Sequence, residues 1–291
     1  MNRFILASAA AFVLVASASA ETLYGLTDVG NLVTFSSGAP GMFLSSVGIS
    51  GLQSGERLVG IDFRPASGVL YGVGSSNRLY TINQNTGAST QVGSGTFSTP
   101  LSGTYFGVNF NPNADRLRIV SDQDQNMRVN PNTGMIVGTG DTALTYANPM
   151  LGSPTIFGTS YENSVAGATT TRQFFIDPVL DLLGMINFPN SNFNAGVINA
   201  VGTGLMVNVP SNSPLGFDIS AATGTAYLAS GNNLWTVNTT SGIASFVGSV
   251  GIGSGQNVTA ITASPVPEPG TLVLLGLGLA GAFAARRLRN V

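Results

Sequence analysis

The sequence contains no cysteine, no histidine and, read residue by residue, no lysine, so every basic residue is an arginine. Without cysteine there is no disulfide framework, and without cysteine and histidine the thiolate and imidazole metal ligands are missing. Ser-His-Asp, Cys-His and Ser-Lys nucleophiles cannot be assembled. A lysine Schiff base and a phosphate-binding P-loop are excluded on the same ground. Charge of either sign is scarce: 8% of 291 residues, with a net charge of -2. A chain with that balance is not expected to bind nucleic acid, which calls for a basic surface. Carboxylate catalysis and oxygen-ligated metals are the chemistries left open.

Glycine, by contrast, is plentiful at 38 residues, beside a hydrophobic content of 43%. That combination suits a turn-dense β protein and is too apolar for a disordered chain. Leu58–Ser94 shows the unit: four short β-branched and aromatic runs separated by Pro65–Gly68, Ser75–Asn77 and Asn85–Gly87, as a sheet with sharp hairpins requires. Phe106–Pro112 restarts the unit and Ile136–Gly138 ends that copy; Leu215–Ile219 opens another. The turn glycines give the period. Gly38 to Gly87 is 49 residues and Gly87 to Gly134 is 47, whereas Gly134 to Gly242 is 108. One degenerate copy therefore lies between, in Thr155–Val201, with Asn190-Ser191 at its turn.

The first copy, from Leu23, lacks its opening strand, and Val258–Ala263 is an opening strand with no hairpin after it. A closed ring in which the last strand joins the first sheet accounts for both. Four-stranded units at roughly 40–50 residues are the signature of a β-propeller. The expected fold is all-β: five four-stranded blades closed by the N- and C-terminal strands, spanning residues 21–264. Phe63, Phe110 and Phe217 are expected in the core between blades, as are Phe35, Tyr80 and Trp235, which recur by symmetry.

Both ends read differently. Residues 1–20 form a predicted secretory signal peptide, with Arg3, an apolar run and an Ala18-Ser19-Ala20 cleavage site after Ala20. Residues 265–291 carry Val266-Pro267-Glu268-Pro269, the uncharged run Thr271–Ala285, and then Arg286, Arg287 and Arg289. As a helix that run would span about 22 Å, short of the roughly 30 Å hydrocarbon core, and the arginines fit a cytoplasmic stop. An unprocessed C-terminal anchor is one reading of it. Motif, apolar helix and basic end together resemble the PEP-CTERM sorting signal of exosortase substrates in Gram-negative bacteria. That resemblance implies processing by an exosortase near Pro267-Glu268-Pro269 after transient membrane anchoring, and transfer to the outer envelope or extracellular matrix.

The repeat domain resembles secreted bacterial domains of the DUF4394 type. The residues that carry this are Asp115–Ser121, Gln125–Gly134 and Pro214–Asp218. That resemblance implies no activity and no cofactor.

Gly276, Gly278 and Gly281 match a dinucleotide fingerprint in letters only, because no strand precedes them and no acid comes after. Asp122, Asp124 and Asn126 open like a calcium loop, but Met127 and Thr133 occupy the positions that need Gly and Glu. A hairpin turn explains them equally, and they are the weak metal candidates. Asp177 and Asp181 flank Pro178 as an imaginable glycosidase pair, or as a turn. Arg116, Arg118 and Arg128 are candidates to pair with Asp115 or Asp122, or to touch an anionic polysaccharide. Asp62 and Asp218 occupy one position of the unit, with Asn109 in the third copy, which fits a side-chain-to-backbone bond at a strand end. Two functions remain in competition. The chain is a non-catalytic envelope or matrix scaffold binding polysaccharide or protein, with no catalytic residue assigned. The alternative is a carboxylate- or calcium-dependent polysaccharide hydrolase using Asp62, Asp218, Asp122 or Asp177.

Overall fold

The computed structural model describes residues 20–265 apart from 139, 188–191 and 254. Residues 1–19 of the signal segment, Asn190-Ser191, the Val266–Pro269 motif, the apolar run and Arg286, Arg287 and Arg289 lie outside the described residues. Strands β1 (Thr22–Thr27), β2 (Asn31–Ser36) and β3 (Ala39–Gly48) form one antiparallel sheet. The next contains β4 (Leu58–Phe63), β5 (Leu70–Gly74), β6 (Arg78–Ile82) and β7 (Ser89–Gln91). Then come β8 (Phe106–Asn111), β9 (Arg116–Ser121) and β10 (Asn126–Val129). The fourth sheet holds β11 (Thr145–Tyr146), β12 (Gly158–Tyr161), β13 (Arg172–Asp177), β14 (Leu182–Asn187) and β15 (Val197–Val201). The fifth holds β16 (Leu215–Ile219), β17 (Ala226–Ser230), β18 (Asn233–Val237) and β19 (Ala244–Ser249).

The last strand, β20 (Val258–Ala263), returns to the first sheet and pairs with β1 from Leu23↔Ala263 to Thr27↔Val258. The missing opening strand and the spare one are thus the same strand. The innermost strands β20, β4, β8, β12 and β16 each pack on the next, and β16 closes on β20. The result is a five-bladed β-propeller. Its blades are less uniform than the repeat implies. The third has three strands, with its fourth reduced to a bridge between Val129 and Ile136, and the degenerate fourth gains β11 as a parallel edge.

One turn recurs for a local reason. The side-chain oxygens of Asn83, Asn130 and Asn238 each accept a hydrogen bond from the N–H two residues on. Four residues after each asparagine stands a glycine, Gly87, Gly134 or Gly242, with φ of 73°, 70° and 80°. An asparagine that bonds its own backbone followed by a left-handed residue makes a tight turn. These glycines also lie against the preceding blade: a Cβ on Gly87 would meet the Gly48 carbonyl oxygen at 2.2 Å. The period in the sequence is therefore the spacing of blade-to-blade contacts.

Apolar side chains fill the five gaps between adjacent blades, with Phe63, Phe110, Phe217, Phe35, Tyr80 and Trp235 all buried. Strands covered on both faces explain the imperfect alternation of the sequence.

Candidate functional site

Each innermost strand carries the same short pattern where it passes the axis: Gly60-Ile-Asp62, Gly107-Val-Asn109, Gly158-Thr-Ser160, Gly216-Phe-Asp218 and Ala260-Ile-Thr262. The small residues set how closely blades approach. A Cβ on Gly107 would fall 2.6 Å from the Thr159 amide nitrogen, and one on Gly216 would fall 2.3 Å from that of Ile261. Free space at this level is about 10 Å³, room for no more than one water.

Two residues along, the polar side chains link each blade to the next. Asp62 accepts the Phe110 N–H at 2.6 Å, and Asn109 accepts that of Tyr161 at 2.9 Å. Ser160 accepts the Ile219 N–H at 2.9 Å, and Asp218 that of Ala263 at 2.7 Å. The Thr262 hydroxyl completes the circuit, 2.8 Å from Asp62 and 3.2 Å from Asp218. The strand-end bond expected for this position therefore spans a blade boundary, and Ser160 and Thr262 are its unrecognised members. Both carboxyls are buried. Burial and the charge of Asp218 push Asp62 well above the ordinary carboxylate range; burial also raises Asp218, against the pull of its donors. A space of about 20 Å³ lies here, with Ser264 and Pro265 at its edge.

At the other end of the axis, where the innermost strands begin, the structure opens into a funnel of about 430 Å³. Its lining includes Leu58 and Val59 from β4, Phe106 from β8, Thr259 from β20, and Phe157 and Pro214 just ahead of β12 and β16. Tyr105 stacks on Phe157 with ring centroids 4.0 Å apart. Arg57 and Asp28 are exposed at the same opening. Glu56 lines the funnel but is turned into its own blade, taking hydrogen bonds from Gln53, Ser76 and Tyr80. Burial raises this carboxyl, yet the donors from Ser76 and Tyr80 outweigh it and hold it below its usual range.

Arg57 differs from the other arginines. Among the described residues it is the one whose guanidinium has no hydrogen bond or ion pair. The arginines singled out from the sequence are all engaged within the fold. Arg118 is buried and donates to Tyr161, Asn126, Asn194 and Asp141, while Arg128 grips Asp141 at 2.8 Å. Their partner is thus Asp141, brought in by the long loop after Gly138, in place of Asp115 or Asp122. Asp115 pairs with Arg64 across the blade boundary, and Arg116 donates to the Asp115 carbonyl.

The calcium-like residues go to three different places. Asp122 accepts the Thr104 and Tyr105 N–H groups at 2.8 and 3.2 Å, which fastens the segment bearing the funnel aromatic. Asp124 accepts from Ser153, and Asn126 belongs to the Arg118 cluster. Among the described residues no three His, Cys, Asp or Glu gather as a metal site would require. Asp177 is buried, accepting from Tyr146 and from the Val179 and Leu180 N–H groups. Asp181 is the left-handed residue ending that turn and accepts from Met206. The pair builds a turn.

Fold and site define a five-bladed propeller with a blind, aromatic-walled funnel at one end of its axis. Residues 31–262 match the family described as a domain of unknown function (DUF4394), and the chain belongs to that family. Residues 265–289 match the PEP-CTERM protein-sorting motif, which implies export, processing by an exosortase and a surface or envelope location. No functionally curated protein matches the sequence. Similar solved structures include a chain of the nidogen/laminin complex, at 10% identity and TM-score 0.49, covering 84% of this chain and 98% of that one. Another is catalytically inactive virginiamycin B lyase from Staphylococcus aureus, at 11% identity and TM-score 0.40, covering 88% and 73%. Glutaminyl cyclase from Myxococcus xanthus is similar at 13% identity and TM-score 0.44, covering 68% and 76%. At these values no argument about function passes from them to this chain.

Proposed function

We propose that the protein is a non-catalytic, exosortase-sorted scaffold of the outer envelope or extracellular matrix, and that its axial funnel binds polysaccharide. The observation that carries this reading is the funnel itself, a rigid concave site walled by Tyr105, Phe106 and Phe157 on a chain bearing a sorting motif. Its size lies within the about 300–1,000 Å³ of small-molecule sites. The carboxylates that a hydrolase would need support the same reading. Asp62, Asp218, Asp177 and Asp122 each accept hydrogen bonds from their own fold; of the two acids lining the funnel among the described residues, Glu56 is turned into its blade and the exposed Asp28 accepts from Asn257.

The test has two parts. Intact mass of the protein recovered from the producing cells should show loss of the signal peptide and of the segment from Glu268 onward. The arithmetic of seven arginines against twelve acids in residues 21–267 then gives a net charge of -5. Matrix polysaccharide from the same cells should bind this protein and lose affinity on Tyr105→Ala. Turnover of that polysaccharide, abolished by Asp28→Asn, would overturn the non-catalytic reading.

A further inference from the structure

We infer that the funnel receives the terminal unit of an acidic polysaccharide end-on, with a sugar carboxylate held by Arg57. The inference rests on the funnel being the binding site and adds which part of the chain enters and what charge it bears.

The end-on mode comes from the shape of the axis. Space falls from about 430 Å³ in the funnel to about 10 Å³ at the glycine level and about 20 Å³ at the polar ring. A chain cannot thread through a passage that holds one water. The plug is also rigid, because Gly107 and Gly216 lie against backbone atoms of the next blade and the polar ring ties the strands below them. The funnel is therefore a socket with one entrance.

The carboxylate is implied by Arg57. Six of the seven described arginines spend their guanidinium donors inside the protein; Arg57, exposed in the socket wall, does not. A free guanidinium fork matches a carboxylate with two parallel charge-assisted hydrogen bonds. Among the described residues no other cation lines the funnel. The sugar is implied by the groups around it. Tyr105 and Phe106 are half-buried, so part of each ring is available to an apolar sugar face, and Tyr105 is held by Phe157 behind it and by Asp122 through its backbone. Asp28, Thr104 and Thr259 supply acceptors for hydroxyl groups.

The test uses the full chain in mild detergent and oligomers of galacturonate, glucuronate and mannuronate, each beside its methyl ester and a neutral oligosaccharide of equal length. At least one uronate should bind, its ester about ten-fold or more weaker, in keeping with the loss of a charge-assisted bond. Arg57→Ala should show the same loss with an unchanged melting temperature, since among the described residues its guanidinium has no hydrogen bond or ion pair to lose. Affinity counted per chain end should stay constant from tetramer to polymer. Binding that grows with chain length, that survives Arg57→Ala, or that favours neutral sugars overturns the inference and leaves the funnel as a binding site. Failure of every glycan and of the matrix polysaccharide removes the binding function as well.

Discussion

Asp62 and Asp218, from the second and fifth blades, meet at a single hydroxyl group: Thr262 stands 2.8 Å from one carboxyl and 3.2 Å from the other. A hydroxyl has one proton to donate. If it donates to Asp218, whose other contacts are all donors (Ala263, Asn109 and Ser160), the Asp62 oxygen facing Thr262 must carry a proton of its own. Burial and the neighbouring charge raise Asp62 in the same direction.

Asp62→Asn should therefore be tolerated, its amide replacing the carboxylic acid as donor to Thr262 while its oxygen keeps the Phe110 N–H. Asp218→Asn sets a donor against donors and should cost about 2 kcal/mol or more, roughly 4 °C or more in melting temperature for a domain of this size. Because the folded pKa of Asp62 is raised, the native state holds a proton that the unfolded chain releases near pH 4. The stabilising contribution is full below that value and is lost as pH rises through the folded pKa. Thermal melts from pH 4 upward should show this decline in the parent chain and a flatter profile in Asp62→Asn; equal slopes would count against a proton on Asp62.

The plug at the axis gives a second expectation. Gly216→Ala places a methyl group 2.3 Å from the Ile261 nitrogen, a backbone atom that cannot swing aside. Overpacking of this kind costs about 1–3 kcal/mol. Gly95→Ala, with nothing within 4 Å, is the matched control and should melt like the parent. Equal melting of the two variants would contradict the close approach of the blades.

Asp141 neutralises a buried arginine, since the Arg118 side chain is 1% exposed and that of Asp141 3%. Asp141→Asn leaves Arg118 buried without a counter-charge, which costs about 3–5 kcal/mol. Urea unfolding should record this as a lower midpoint. A shift below about 1 kcal/mol would mean that Asn126, Asn194 and Tyr161 hold the guanidinium unaided.

Ring closure is tested by ending the chain at Gly255. That removes β20, bares the inner edge of β1 and takes away Thr262 and the Ala263 N–H from the polar ring. Exposed strand edges pair with other chains, so the truncated protein should elute as aggregate and lose its cooperative melt. A monomer with the parental melting temperature would contradict a closed ring.

The architecture was legible because its period is chemical. Asn83, Asn130 and Asn238 with their glycines mark turns in letters, and the unmatched strand at each end announces closure. The third blade misleads: Ile136–Gly138 looks like a strand, but the chain leaves the sheet there and goes on to deliver Asp141 to Arg118. The polar ring was half legible. Asp62, Asn109 and Asp218 resemble one another, whereas Ser160 and Thr262 share with them only an oxygen at the right height, and the bonded partner lies one blade away. The funnel was invisible for a different reason. Arg57, Tyr105 and Phe157 belong to three blades, and nothing in their local sequence records that closure sets them round one opening.

The polar end of the axis is also where the folded domain hands over to the sorting segment: Ser264 donates to the Thr22 carbonyl, and Pro265 borders the space below Asp62 and Asp218. The funnel opens at the opposite end. Attachment through this end of the domain would leave the funnel mouth on the far side. The strand that closes the ring thus also fixes which end of the axis lies away from Pro265.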